Sequence, residues 1–129
     1  MHDLVNQFTS ALGELHRNHD VEPLAALFAD DASLSKAGMP HGQHGKDGAR
    51  TFWEQYRRVF GEIEASFQHT VTKDGIAYLE WTSRGTLSDG ADFSYDGVSV
   101  LESHGETIYA FRTYYDTAAF LQKQSAVGA

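Results

Sequence analysis

The residue whose type and position most invite chemistry is His69. In "EIEASFQHTV", Ile63, Ala65, Phe67, His69 and Val71 alternate with Glu62, Glu64, Ser66, Gln68 and Thr70, the period-two pattern of a half-buried strand. An imidazole on an apolar face must find a hydrogen-bond partner. It is then either a satisfied core histidine or a pocket group whose near-neutral pKa suits proton transfer. Asp96 stands beside Gly97, where a bulge could re-aim its carboxylate. Paired with His69 it would make a base and its orienter, and otherwise it faces water at a strand edge. Asp116 follows Tyr114-Tyr115 and precedes a helical run, residues 117–121, so an N-cap role competes with a catalytic one.

Other constellations carry less. His41 and His44, or His16 and His19, could pair on a metal, but no third ligand stands at a clear spacing. "HGQHGKDG" has glycines and a lysine without the Gly-Lys-Ser/Thr ending of a phosphate loop. Neither a metal nor a cofactor is expected.

These residues sit in a chain of 129 with a formal net charge of −8, 41% hydrophobic and 12% aromatic content, and no cysteine. The length suits one domain, residues 1–129, with a core of its own. The acidity disfavours phosphate backbones and anionic lipid surfaces, so neither nucleic acid nor membrane is expected as a partner. No apolar run is long enough to span a bilayer. "MHDLVNQF" lacks a basic region followed by an apolar core, so the expected location is cytoplasmic.

The elements that must position the candidates follow from periodicity. Leu4, Phe8, Ala11, Leu12 and Leu15 give the first helix one apolar stripe. Asp20 and Pro23 open a short second helix carrying Leu24, Leu27 and Phe28, which Asp30-Asp31 should stop. A short strand and a Gly/His loop come next. A third helix with Ala49, Phe52, Trp53, Tyr56, Val59 and Phe60 on one side should then run to Gly61. Four long strands follow, punctuated by Lys73-Asp74-Gly75, Ser88-Asp89-Gly90 and Ser103-His104-Gly105. Helices followed by an antiparallel meander predict an α+β fold. Aromatic residues on both faces of the last strand suggest that the side away from the helices is covered by a second subunit.

Several words of the sequence, taken in order, resemble the SnoaL-like polyketide cyclases and, more broadly, the nuclear transport factor 2-like superfamily. They are "LAALFADDASL", "HGKDGARTFW", "YDGVSVLE" and "FRTYYD", and the likeness runs from about Leu4 to Phe120. The resemblance implies a cone: a strongly bent antiparallel sheet wrapped around three N-terminal helices, with an apolar pocket between, in a homodimer packed through the convex sheet face. The catalytic residues of three branches do not carry over. The ketosteroid isomerase positions hold Leu12, Lys36 and Val98; two limonene-epoxide hydrolase positions hold Trp81 and Ser83. The acid that these hydrolases and the cyclases place after the arginine of the last strand is Thr113 here.

The resulting expectation is a small apolar organic ligand in a pocket lined by Leu79, Trp81, Ser83, Val98, Val100, Phe111, Thr113 and Tyr115. If the protein is an enzyme, the implied chemistry is proton transfer, as cyclase or isomerase, on a polyketide- or steroid-like compound, with His69 and Asp96 as acid–base candidates. The competing readings are a non-catalytic binding or accessory protein that lacks the family's acids and a structural dimer module with a filled interior.

Overall fold

The structure is a computed structural model that describes residues 1–38 and 42–116. His41 and the helical turn expected at 117–121 lie outside the described residues. Helix α1 (His2–Asn18) buries Leu4, Phe8, Ala11, Leu12 and Leu15, as its apolar stripe requires. It ends at His19, whose left-handed backbone (φ 59°) turns its N–H back to the Leu15 carbonyl. Asp20 Oδ1 accepts the Glu22 amide at 3.1 Å, at the start of α2 (Glu22–Ala25).

This second helix is a single turn, shorter than its apolar spacing suggests. Phe28 already belongs to strand β1 (Phe28–Lys36), paired in parallel with Ile108, and the Ile108 N–H donates to the Leu27 carbonyl at 2.8 Å. Tertiary pairing thus overrides a local helical pattern. Asp30 and Asp31 lie exposed in an irregular stretch of the strand, where the register slips between Phe28 and Ser33. A two-residue strand, β2 (Gln43–His44), leads into α3 (Gly45–Arg58). That helix stops before Gly61, because Phe60 already pairs with Leu87 across the sheet.

The four long strands are β3 (Phe60–Lys73), β4 (Ile76–Leu87), β5 (Asp92–His104) and β6 (Thr107–Tyr115). The sheet order is β2-β1-β6-β5-β4-β3, antiparallel throughout except that β1 joins β6 in parallel. The β3–β4 turn is Asp74-Gly75, both with positive φ (54° and 77°), the conformation that an Asp-Gly pair tolerates in a two-residue hairpin. Register shifts in β3 and between β5 and β6 bend the strands, and the sheet curls without closing. Helices α1 and α3 fill its concave side, α1 against β3 and α3 against β1.

The core gathers in two clusters. The larger contains Phe8, Leu15, Phe28, Leu34, Phe52, Trp53, Leu79, Leu101 and Phe111, all buried. The smaller contains Phe60, Ile63, Trp81, Phe93 and Tyr95. Tyr56 and Phe67 touch both.

Candidate functional site

Where the two clusters meet they do not fuse. A cavity of about 520 Å³ lies between them, walled by Phe8 and Leu12 of α1, by Phe52, Trp53 and Tyr56 of α3, and by the inner faces of β3 to β6. The inner face of each strand follows from pairing. On β4 the odd-numbered residues Ala77, Leu79, Trp81 and Ser83 are buried and the even-numbered Tyr78, Glu80 and Arg84 are exposed. Cross-strand partners carry that parity to Phe93, Tyr95, Gly97 and Ser99 of β5, and from there to Thr113 and Tyr115 of β6.

Trp81, Ser83, Phe111, Thr113 and Tyr115, expected around a pocket, line this cavity. Leu79 does not; it is fully buried within the larger cluster. Val98 and Val100 are corrections. They pair with Glu80 and Tyr78 on the outer face of the sheet, while Gly97 and Ser99 take the inner one. Two valines looked like pocket lining, but the parity of Phe93, Tyr95 and Leu101 already put positions 98 and 100 on the other side.

His69 is a correction as well. Up to Phe67, odd residues of β3 oppose odd residues of β4: Ile63 faces Gly85, Ala65 faces Ser83 and Phe67 faces Trp81. The register then slips by one residue, so His69 opposes Glu80. A one-residue slip sends every following side chain to the opposite face. The His69 side chain is 78% exposed, and its Nδ1 lies 2.6 Å from Glu80 Oε1. Val71, past the same slip, is exposed too. Asp96 also faces outward: its carboxylate accepts the Thr82 hydroxyl at 2.6 Å, and β4 and β5 pair there without the expected bulge. His69 and Asp96 are therefore not brought together, and neither reaches the cavity.

Gly97 has a different role. The Trp81 indole lies across it, and a Cβ there would fall 2.4 Å from the ring. The glycine gives the indole its floor. From that position Trp81 Nε1 donates to Ser99 Oγ at 2.9 Å, and Ser99 Oγ lies 2.9 Å from Thr113 Oγ1. A Trp–Ser–Thr chain of polar groups thus runs across the inner face of an otherwise aromatic wall.

Two groups missed by the sequence reading shape the helical side. Tyr56 lines the cavity, and its hydroxyl lies 2.7 Å from Nε2 of His16. Burial, then the neighbouring Arg57 and Arg17, push the His16 pKa down to about 4, so this imidazole is neutral at physiological pH. Burial raises the pKa of Tyr56 and Tyr115, and that of Tyr95 together with the nearby Tyr115; all three phenols keep their protons. Arg57 is buried with no carboxylate partner among the described residues. Its guanidinium donates to the carbonyls of Leu15, His16, Phe60 and Gly61 and contacts His19 Nε2 at 3.0 Å. It joins the carbonyl end of α1, where positive charge is favoured, to the start of β3. His16 and His19 are thus taken up by Tyr56 and Arg57. The sequence signal was His16 one residue beyond Leu15 on the apolar stripe.

The lining also contains Lys36, at the end of β1, and Asp89, in the turn between β4 and β5. Asp89 Oδ1 accepts the Ala91 amide. Trp53 contributes a buried indole N–H with no acceptor among the described residues.

The family model of the SnoaL-like domain matches residues 5–111. No curated protein matches the chain. Among solved structures, TerC co-crystallised with polyporic acid is 14% identical, with a TM-score of 0.79 over 95% of this chain and 98% of that one. A hypothetical protein with a ketosteroid isomerase-like fold from Catenulispora acidiphila, in complex with trimethylamine, is 14% identical, with a TM-score of 0.82 over 95% and 92%. An LEH-like epoxide hydrolase from M. tuberculosis is 17% identical, with a TM-score of 0.73 over 94% and 86%. At such identities the likeness is one of fold.

Proposed function

The chain belongs to the SnoaL-like domain family, and we propose that it binds a compact, largely apolar organic molecule in the cavity between its helices and sheet. The observation that carries this reading is the cavity itself: about 520 Å³, bounded by aromatic side chains, with a few hydroxyls on one wall. Volume and lining fit the usual design of a small-molecule site, where apolar surface supplies affinity and sparse polar groups supply orientation. The relatives co-crystallised with polyporic acid and with trimethylamine give the reading a precedent within the fold. A scaffold with a filled interior would have no need of such a space.

A catalytic reading rests on different residues from His69 and Asp96. Tyr56 presents a protonated phenol on the cavity wall, backed by the neutral His16. Such a pair could donate a hydrogen bond to a carbonyl as negative charge develops on its oxygen, the electrophilic half of an isomerase or cyclase step. The carboxylate of the described lining, Asp89, is engaged by the Ala91 amide in the β4–β5 turn, so binding is the primary proposal and turnover the secondary one.

We further propose a homodimer through the outer sheet face. Tyr78 opposes Val100 on this face and Val98 opposes Tyr114, and both tyrosines are about half exposed, at 45% and 53%. Two half-exposed tyrosines on this face, in rows that also hold Glu80 and Arg112, suit a second copy.

The experiment for the binding reading is a fluorescence titration with the neutral probe N-phenyl-1-naphthylamine, run beside native mass spectrometry of the freshly purified protein. We expect saturable binding that is weakened in Trp81→Ala and unchanged in His69→Gln, with both variants folded by circular dichroism. Absence of binding in the wild type, or equal loss in both folded variants, would refute it.

A further inference from the structure

The inner face of β1 ends in a charge without a partner among the described residues. Leu34 is fully buried, and Lys36, two residues on, shares its face. Lys36 lines the cavity and makes neither a hydrogen bond nor an ion pair with any described residue. In the parallel pairing it lies beside Thr113, which lies beside Ser99 in the next strand. One row across β1, β6 and β5 therefore reads Lys36, Thr113, Ser99 on the cavity side.

The direction of the hydrogen bond from Trp81 follows from donor chemistry. An indole N–H can only donate, so Ser99 Oγ accepts from Trp81. Ser99 is buried, and Thr113 is the one other partner of its hydroxyl among the described residues. Ser99 and Thr113 both line the cavity, and either hydroxyl can be the donor of the bond between them. When Ser99 donates, the Thr113 proton is left for the cavity, in the row that holds Lys36. Each bond of such a chain polarises the next and strengthens the terminal donor.

We infer that this end of the cavity is an anion seat, and that the ligand is an aromatic or alicyclic acid whose carboxylate, enolate or phenolate oxygen takes the Lys36 ammonium and the Thr113 hydroxyl. The inference rests on the binding reading above and specifies its ligand class. Lys36 and Thr113 are register neighbours on the cavity side, and aromatic side chains make up much of the remaining wall, so the ligand is bipolar: a ring system inward and one acidic group beside Lys36. The carboxylate of the lining does not neutralise this end. Asp89 sits beyond the far end of β5, roughly 20 Å along the strand from Ser99, and is held by the Ala91 amide.

The test compares 2-naphthoate with its neutral isostere 2-naphthamide by isothermal titration calorimetry. In the wild type the acid should bind about tenfold or more tightly than the amide, the size of a charge-assisted contact. Lys36→Met and Lys36→Gln should abolish that preference, the acid then binding no more tightly than the amide. Thr113→Val, equal in shape but without the hydroxyl, should reduce it several-fold. Equal affinity for acid and amide in the wild type, or a preference that survives in folded Lys36→Met, would overturn the anion seat. So would failure of both naphthalenes where N-phenyl-1-naphthylamine still binds. Failure of that neutral probe as well would remove the cavity reading itself.

Discussion

Acidification should weaken this fold through His16 in a window set by its neighbours. The imidazole is bonded to Tyr56, and its burial, then the charges of Arg57 and Arg17, hold its folded pKa at about 4, against 6.5 for a free histidine. Between those values the unfolded chain takes up a proton that the folded chain refuses. The contribution of the neutral ring is therefore fully present above about pH 6.5 and is lost progressively as the pH falls toward 4. The full span of about 2.5 units corresponds to ~3 kcal/mol, and about 2 kcal/mol of it should be gone by pH 5. Against a typical domain stability of about 5–15 kcal/mol this is a large fraction. The assay is urea denaturation at pH 7.5, 6.5, 5.5 and 5.0 on the wild type and on His16→Gln, whose amide can still meet the Tyr56 hydroxyl but cannot titrate. Surface carboxylates titrate in both proteins and cancel in the difference. The wild type should lose about 2 kcal/mol more than the variant between pH 7.5 and 5.0. Parallel pH profiles would show that His16 takes its proton as readily folded as unfolded, and would refute the argument from burial and Arg57.

Two further outcomes follow. Gly97→Ala should destabilise the fold by about 1–3 kcal/mol and move the tryptophan emission, because a Cβ would meet the Trp81 ring at 2.4 Å; an unchanged melting curve and spectrum would show that the ring does not rest there. Sedimentation velocity at tens of micromolar should give a dimer for the wild type and a monomer for Tyr114→Glu, which puts a charge in the outer patch beside Val98; a monomeric wild type would end the dimer proposal.

The fold was legible in the sequence because its signals are redundant. The α1 stripe, the Asp-Gly turn and the alternation along β4 each specify an element, and the order of elements fixes the layers. What escaped was local and geometric. Helix α2 ends early because Phe28 finds a strand partner 80 residues away, which no window of neighbouring residues contains. His69 was assigned to the wrong face by a rule that holds only while the register is continuous. The slip after Phe67 has no Gly or Pro to announce it, yet it decides whether an imidazole enters the cavity or meets Glu80 in water. The polar groups now of interest were hidden for the opposite reason. Tyr56 and His16 sit on helical faces that read as core, and Lys36 was notable only for standing where ketosteroid isomerases place a catalytic residue. It becomes a site candidate once its register with Thr113 places it on the inner face, where an ammonium with no carboxylate partner among the described residues needs an explanation. The chemistry of this cavity is thus specified by which residues share a face, and in a bent sheet with bulges that property belongs to the pairing rather than to any one strand.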